Sequence, residues 1–201
     1  MLKAKGISYR YAPHLPWILK GVDLEIKAGE RIGLWGSSGR GKTTLAKILA
    51  GYLNPMTGEV DLDGKPLPSQ AFAPVQLVFQ NPELAINPRW RIRQVLSETL
   101  PKSHPLNLEA LAQHGVDPAW LDRWPHELSG GELQRIALAR ALGSQTRYLI
   151  CDEITAMLDA LTQAVIWESL LKQAQNQGIG LLVISHEQNL LSQVCDRLIE
   201  L

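Results

Sequence analysis

Arg31-Ile32-Gly33-Leu34-Trp35-Gly36-Ser37-Ser38-Gly39-Arg40-Gly41-Lys42-Thr43-Thr44-Leu45-Ala46-Lys47-Ile48-Leu49 passes from a short apolar run, through a glycine-rich turn, into a segment of helical period. Arg31–Trp35 reads as a strand. Leu45, Ile48, Leu49 and Tyr52 stand at i, i+3, i+4 and i+7, one face of a helix that stops at Asn54-Pro55. Between the two, Gly36–Thr43 fits G-x-x-x-x-G-K-[ST] in full and lies where that motif's mechanism needs it. Glycines let backbone N–H groups turn inward around a phosphate, and the helix N-terminus adds its partial positive charge. Lys42 would meet the β- and γ-phosphates of a nucleotide, and Thr43 would offer its hydroxyl to Mg²⁺. The alternative is a flexible Gly/Ser loop with a chance Lys-Thr after it; the flanking strand and helix argue against that.

Outward from this stretch the chain divides into three parts. On the N-terminal side, Ile7–Tyr11 and Val22–Ile26 read as strands, and beyond the helix Glu59–Leu62 is a third, closed by the hairpin dipeptide Asp63-Gly64. Val75–Phe79 is a further strand. It leads into a proline-punctuated stretch, 81–127, with helical segments near Ile92–Thr99, Leu108–His114 and Pro118–Arg123, which reads as a small helical insertion. The last third alternates: helix Gly131–Leu142, strand Tyr148–Cys151, helix Leu161–Gln175, strand Gly180–Ser185, helix Glu187–Val194, strand Leu198–Leu201. Alternating βα units imply a parallel sheet covered by helices, with the chemistry at the carboxyl ends of its strands.

Composition narrows the function classes. The 201 residues carry 20 Lys+Arg against 20 Asp+Glu, so the zero net charge gives no footprint for a general polyanion binder. Hydrophobic residues at 45% and charged residues at 20% suit a chain that folds around a sizeable core. The longest apolar run, Gly178 to Ile184, is far short of the roughly 20 residues of a membrane span. Met1-Leu2-Lys3-Ala4-Lys5 leads into a strand without an apolar h-region, so cytosolic residence is expected. Cys151 and Cys195 lack Cys or His neighbours at ligand spacing, which argues against structural zinc or an iron–sulfur cluster; Cys151, inside Leu149-Ile150-Cys151, reads as a small buried hydrophobe.

Two further motifs carry chemistry. Tyr148-Leu149-Ile150-Cys151-Asp152-Glu153 is an apolar strand ending in paired carboxylates. Asp152 would hold the Mg²⁺ shell and Glu153 would polarise an attacking water, two roles a phosphoryl-transfer site needs beside its loop; a solvated turn is the alternative. Leu128-Ser129-Gly130-Gly131-Glu132-Leu133-Gln134 opens a helix with Leu133, Ile136 and Ala137 on one stripe. Ser129 and Glu132 have capping-box spacing, so an ordinary helix start accounts for both. It leaves the two consecutive glycines, which suit close backbone approach to a phosphate, unaccounted for.

That segment resembles the L-S-G-G-[QE] signature of the ATP-binding cassette (ABC) family, and the resemblance extends over nearly the entire chain. It implies one ABC ATPase domain over 1–201: an α/β fold with a RecA-like P-loop NTPase core (1–80 and 128–201), an N-terminal antiparallel β subdomain and an α-helical subdomain at 81–127. It implies ATP as ligand, bound by Tyr11 and by Gly36, Ser37, Ser38, Gly39, Arg40, Gly41, Lys42, Thr43 and Thr44. Mg²⁺ would be held by Thr43, Gln80 and Asp152. Gln80 resembles the Q-loop glutamine that senses metal and γ-phosphate, and His186, after Leu182-Val183-Ile184-Ser185, resembles the switch histidine that fixes the water with Glu153. His14, His104, His114 and His126 read as merely exposed. Tyr11 falls where the family places an aromatic that stacks on adenine; Tyr9, two residues earlier, competes for the role. Ser129, Gly130, Gly131 and Glu132 would act in trans, on a second molecule's nucleotide. The family pattern D-E-P-T-S-A-L-D departs here to Asp152-Glu153-Ile154-Thr155-Ala156-Met157-Leu158-Asp159, which lacks the Pro and the Ser hydroxyl of a dimer-interface loop and keeps Asp159.

Val75-Gln76-Leu77-Val78-Phe79-Gln80-Asn81-Pro82, with Ile86-Asn87-Pro88-Arg89, is similar to the second ATPase subunit of oligopeptide, dipeptide and nickel importers. The resemblance implies an ATP-hydrolysing subunit peripheral to the cytoplasmic face of the membrane. Its partners would be a second ABC ATPase subunit (a homologue or another copy), transmembrane permease subunits and, indirectly, an extracytoplasmic solute-binding protein, with no nucleic acid. Arg89, Arg91 and Arg93 read as a solvated face rather than a partner surface, and Trp90, Trp120 and Trp124 as the insertion's own small core. The competing reading is a soluble ABC-type ATPase acting on nucleic acid or ribosomes. Such proteins usually carry a long coiled coil or two cassettes in one chain, and neither is in this sequence.

Overall fold

The computed structural model describes residues 1–68, 73–98, 105–143 and 145–201. A five-stranded sheet, all of whose pairs are parallel, holds β3 (Arg31–Trp35), β6 (Val75–Val78), β7 (Tyr148–Asp152), β8 (Gly180–Ile184) and β9 (Arg197–Glu200) in the order β6-β7-β8-β3-β9. A four-stranded antiparallel sheet holds β1 (Leu2–Tyr9), β2 (Leu19–Ile26), β4 (Thr57–Leu62) and β5 (Lys65–Pro66) in the order β2-β1-β4-β5. The helices are α1 (Lys42–Leu49), α2 (Ile92–Ser97), α3 (Leu108–Gln113), α4 (Gly130–Ala141), α5 (Ala160–Gln177) and α6 (Gln188–Val194).

β7 and β8 read as unbroken apolar runs because both faces of a parallel strand are covered; every one of their residues is buried. Alternation divides their side chains between two cores. Ile150, Leu182 and Ile184, with Ile32 and Leu34 of β3, pack under α1 (Leu45, Ile48, Leu49) and the antiparallel sheet (Leu2, Ile7, Ile26). Leu149, Cys151, Leu181 and Val183 face the other way, onto α4 (Leu133, Ile136), α5 (Ile166, Leu170) and the insertion (Ile92, Val95). Cys151 is thus the buried hydrophobe expected from its neighbours, and burial pushes its thiol far above the ordinary range.

Several boundaries differ from the sequence reading. β1 begins at Leu2 and ends at Tyr9, not Ile7–Tyr11: it pairs on both sides from its first residue (Leu2 opposite Ile26 and Leu62), and Ile18 donates to the Tyr9 carbonyl where the pairing stops. α1 ends at Leu49, so Tyr52 is no part of the helical stripe; it is exposed, and its ring meets Phe79 edge-on at 5.8 Å. Asp63 and Gly64 both take positive φ (54° and 75°), the two-residue turn their dipeptide implies, and return the chain into the short β5. Pro118–Arg123 holds only a single 3₁₀ turn, Pro118–Trp120, and two more such turns lie at Pro82–Leu84 and Pro125–Glu127. Thr99, the last residue of one expected helix, and His104 lie outside the described residues.

Two of the insertion's arginines are engaged within it. Arg93 pairs with Asp122 at 2.7 and 2.8 Å, and Arg91 lies 4.7 Å over the Trp124 ring while donating to the Asp122 carbonyl. Trp90 and Trp120 pack half-buried against the core.

Where β4 crosses β1, Gly58 has φ +87°, and a Cβ there would stand 2.4 Å from the Lys5 carbonyl oxygen. Gly64 is equally left-handed but faces open space. Gly64→Ala should therefore lose only about 1 kcal/mol and Gly58→Ala at least about 2 kcal/mol in urea unfolding, since strain and overlap add at Gly58. Equal losses would mean that the strands separate there at little cost.

Candidate functional site

The register of the parallel sheet brings four strand ends to one place. Ile184 of β8 lies opposite both Leu34 of β3 and Asp152 of β7, and Val78 of β6 lies opposite Cys151. The segments leaving these strands, Gly36–Gly41, Asp152-Glu153, Ser185-His186 and Phe79-Gln80, are neighbours as a result.

The first of them is a glycine loop with positive φ at Gly36, Gly39 and Gly41 (149°, 81° and 96°). Its close fit to the β1–β2 connection explains Gly41, where a Cβ would lie 2.7 Å from Ile18 Cγ2. α1 starts immediately after it, with no side-chain cap and no acid in its first turn. The partial positive charge of that helix end is left for an anion. Lys42 is buried, and its Nζ donates to the carbonyls of Gly36 (2.8 Å) and Ser37 (3.2 Å), folding back along the loop. Ser37, Ser38, Gly39 and Arg40 are exposed along the loop, and Thr44 is buried behind it.

Asp152 is buried at the tip of β7. Burial raises its carboxyl above the usual range; the nearby Thr43 hydroxyl and Lys42 ammonium pull the other way. Glu153 follows with φ +52°, a backbone conformation that costs a side-chain-bearing residue about 1–2 kcal/mol. Its N–H is held by the Ile184 carbonyl at 3.0 Å, and its Oε1 lies 2.8 Å from His186 Nε2. The expected pair of Glu153 and His186 is thus in contact across the ends of β7 and β8. Gln80 is exposed just beyond β6.

Tyr9 and Tyr11 separate. Tyr9 is half-buried against the core, whereas Tyr11 lies past the strand end, 55% exposed, with its hydroxyl 3.2 Å from Thr44 Oγ1 at the start of α1. Tyr11 is therefore the tyrosine beside the loop.

At α4 the capping box is formed: the Glu132 carboxylate accepts from the Ser129 N–H (2.7 Å) and hydroxyl (2.8 Å), contacts that hold its carboxyl below the ordinary range. Of the two glycines, Gly131 lies close to α5, where a Cβ would stand a tight 3.2 Å from Thr162 Cγ2, while Gly130 faces open space. Gly130 and Gln80 line one cleft together with Gln134 and Met157. Asp159 caps α5, accepting from the Leu161 and Thr162 N–H groups (3.1 and 3.0 Å) and the Thr162 hydroxyl (2.7 Å).

The sequence reading missed Thr155. Buried in the loop after Glu153, its hydroxyl oxygen accepts from Gln163 Nε2 (3.0 Å) and Trp167 Nε1 (3.1 Å), fastening the loop to α5; the family pattern has a Thr at this position, but the pattern alone gave it no role. His114 is not the exposed histidine that was expected: it is half-buried, and burial pulls its pKa down to about 4.

Residues 19–156 match the family model described as "ABC transporter". The chain belongs to the ABC transporter family. It is 39% identical over 187 residues to the "Probable D,D-dipeptide transport ATP-binding protein DdpF" of Escherichia coli, an alignment covering 89% of this chain and 59% of that protein. It is 36% identical over 222 residues to the "Nickel import ATP-binding protein NikE" of Shigella sonnei, covering 98% and 82%. The chain therefore spans about three-fifths of the length of the first relative and about four-fifths of the second. The dimeric structure of MJ0796, a bacterial ABC transporter cassette, superposes with a TM-score of 0.84 at 27% identity, covering 100% of this chain and 94% of that one. The ABC cassette fold, with its antiparallel and parallel sheets, is the fold expected from the sequence.

The buried Asp152 of this cassette gives a stability prediction. Its folded pKa is raised above an unfolded value of about 3.9, so the carboxyl opposes folding at neutral pH, and the penalty disappears as pH falls through those values. In nucleotide-free, chelator-treated protein, Asp152→Asn should melt above the parent at pH 7, and the gap should close on acidification. A lower melting temperature at pH 7 would show that the carboxylate is well compensated without a cation.

Proposed function

We propose that the chain is the ATP-binding and ATP-hydrolysing subunit of an importer for peptides, nickel or metal chelates. It works as a head-to-tail pair of cassettes on transmembrane permease subunits at the cytoplasmic face of the membrane. The observation that carries the reading is the contact of Glu153, next to the buried Asp152, with His186, at the end of the strand that lies between β7 and the strand leading into the Gly36–Thr43 loop. The two import-protein relatives support the transport role, and no helix among the described residues is long and apolar enough to cross a membrane, consistent with a peripheral subunit. A solute-binding protein outside the membrane would deliver the cargo to the permease. Two observations weigh against nucleic acid: the net charge is zero, and Arg91 and Arg93 are engaged within the insertion.

In this mechanism the loop N–H groups and the α1 terminus bind the phosphates, and Lys42 exchanges its two carbonyl partners for phosphate oxygens. Thr43 hydroxyl, Asp152 carboxylate and Gln80 amide oxygen form a hard oxygen set that fits Mg²⁺, and the buried Asp152 is a carboxylate a cation would satisfy. When bound, the metal neutralises charge on the β- and γ-phosphates. Glu153 orients and polarises the water, and His186 turns from Glu153 toward the γ-phosphate. Tyr11 stacks on the adenine.

Ser129, Gly130, Gly131 and Glu132 lie at the start of a different helix, and the loop already wraps its own nucleotide, so the signature serves the partner's ATP. The dimeric cassette that this chain superposes on supports the pairing. Asp159 and the exposed Met157 lie on the loop that would face the partner.

Glu153→Gln mixed with its cognate partner chain should bind ATP, lose nearly all turnover, and shift to the mass of a pair only when ATP is present. Adding Ser129→Arg should abolish the mass shift while leaving nucleotide binding by the lone chain intact. Loss of binding by the lone Ser129→Arg chain would place the signature in cis and overturn the paired model.

A further inference from the structure

The Tyr11 side chain would be a poor platform if it were free. It lies beyond the end of β1, 55% exposed, in the connection 10–18. A mobile ring gives up its freedom on stacking and returns less affinity for the same contact. Two contacts restrain it: its hydroxyl reaches Thr44 Oγ1 at 3.2 Å, and its ring meets the Tyr9 ring at right angles with centroids 5.2 Å apart. In the same connection the Arg10 guanidinium lies 4.6 Å over the Trp17 ring. Of these two partners, Thr44 and Tyr9, Tyr9 is the one anchored in a sheet: it pairs with Leu19 and is half-buried against the core, with Ile18 donating to its carbonyl.

We propose that Tyr9 is a positioning residue for nucleotide binding, its ring bracing Tyr11 from the strand side so that the base platform is formed before the nucleotide arrives. The inference rests on the reading of Tyr11 as the base-stacking residue. It gives the second tyrosine of the Tyr9-Arg10-Tyr11 segment a role other than touching the base: the geometry that makes Tyr9 a good brace, half-buried and turned edge-to-face, removes it from the position of platform. The edge-to-face pairing needs a ring at 9 and not its hydroxyl, so Phe can replace Tyr there and Leu cannot.

The test is equilibrium binding of Mg-ATP and of magnesium tripolyphosphate, which has the phosphates without base or ribose, to the nucleotide-free chain. Tyr9→Leu should weaken ATP binding roughly threefold to tenfold, the range of an aromatic pair. Tripolyphosphate binding should be unchanged, and Tyr9→Phe should bind both ligands as the parent does. Parental ATP affinity in Tyr9→Leu, or an equal loss for both ligands, would overturn the proposal, the second because it reports a general distortion of the loop. Tyr11→Ala in the same assay separates the two levels. If it weakens ATP while Tyr9→Leu does not, only the brace is refuted; if Tyr11→Ala itself leaves ATP affinity unchanged, the stacking reading fails and the brace with it.

Discussion

Parallel main-chain pairing of β3 with β8 and of β8 with β7 is the constraint on which the site depends. It fixes Leu34, Ile184 and Asp152 side by side, so a loop that is contiguous in sequence and two short segments more than a hundred residues away arrive at one edge. The apolar runs supply this pairing. Residues buried on both faces leave each strand no alternative register that keeps its side chains covered, because a slip by one residue would exchange the contents of the two cores. Asp152 follows directly on the apolar run Tyr148–Cys151, and Gln80 and His186 stand two places past the ends of β6 and β8.

The resting site stores unfavourable features together. Glu153 has a left-handed backbone, Asp152 is a carboxyl whose charged form burial disfavours, and the Lys42 ammonium is satisfied by two loop carbonyls alone. The surrounding structure holds them in place: Thr155 fastens the loop after Glu153 to Gln163 and Trp167, the Ile184 carbonyl holds the Glu153 N–H, and Gly41 lets the glycine loop lie against Ile18. Where the family pattern has Pro, this chain has Ile154, buried in the core, and where it has Ser, an exposed Ala156. The loop is therefore held by apolar burial and by Thr155.

What was legible in the sequence follows from range. Arg31–Trp35, the start of α1 and the runs of β7 and β8 could be read because their signals are local: apolar continuity, a glycine motif and helical period. The placement of Asp152, Glu153 and Lys42 beside one another was legible for the same reason, each being tied to a motif next to it. The first half of β1 was missed because Lys3 and Lys5 are placed by pairing with β2 and β4, not by apolar pattern. Tyr52 was counted on the helix because its spacing fits a stripe, although α1 ends before it. The role of Thr155 depends on how the loop packs on the helix that follows it, and the burial of His114 on packing between segments farther apart in sequence. Which of Tyr9 and Tyr11 lies beside the loop depends on where pairing stops, which the alternation of side chains does not mark.

The central claim is that the loop is a phosphate cradle closed by one lysine charge. Equilibrium Mg-ATP binding to Lys42→Ala, compared with the parent chain, tests that most directly. Without the ammonium the phosphates have no charge-assisted hydrogen bond from this side chain, and the affinity should be ~10- to 100-fold weaker or undetectable. Parental affinity in Lys42→Ala would contradict the reading of the loop and with it the assignment of the surrounding residues.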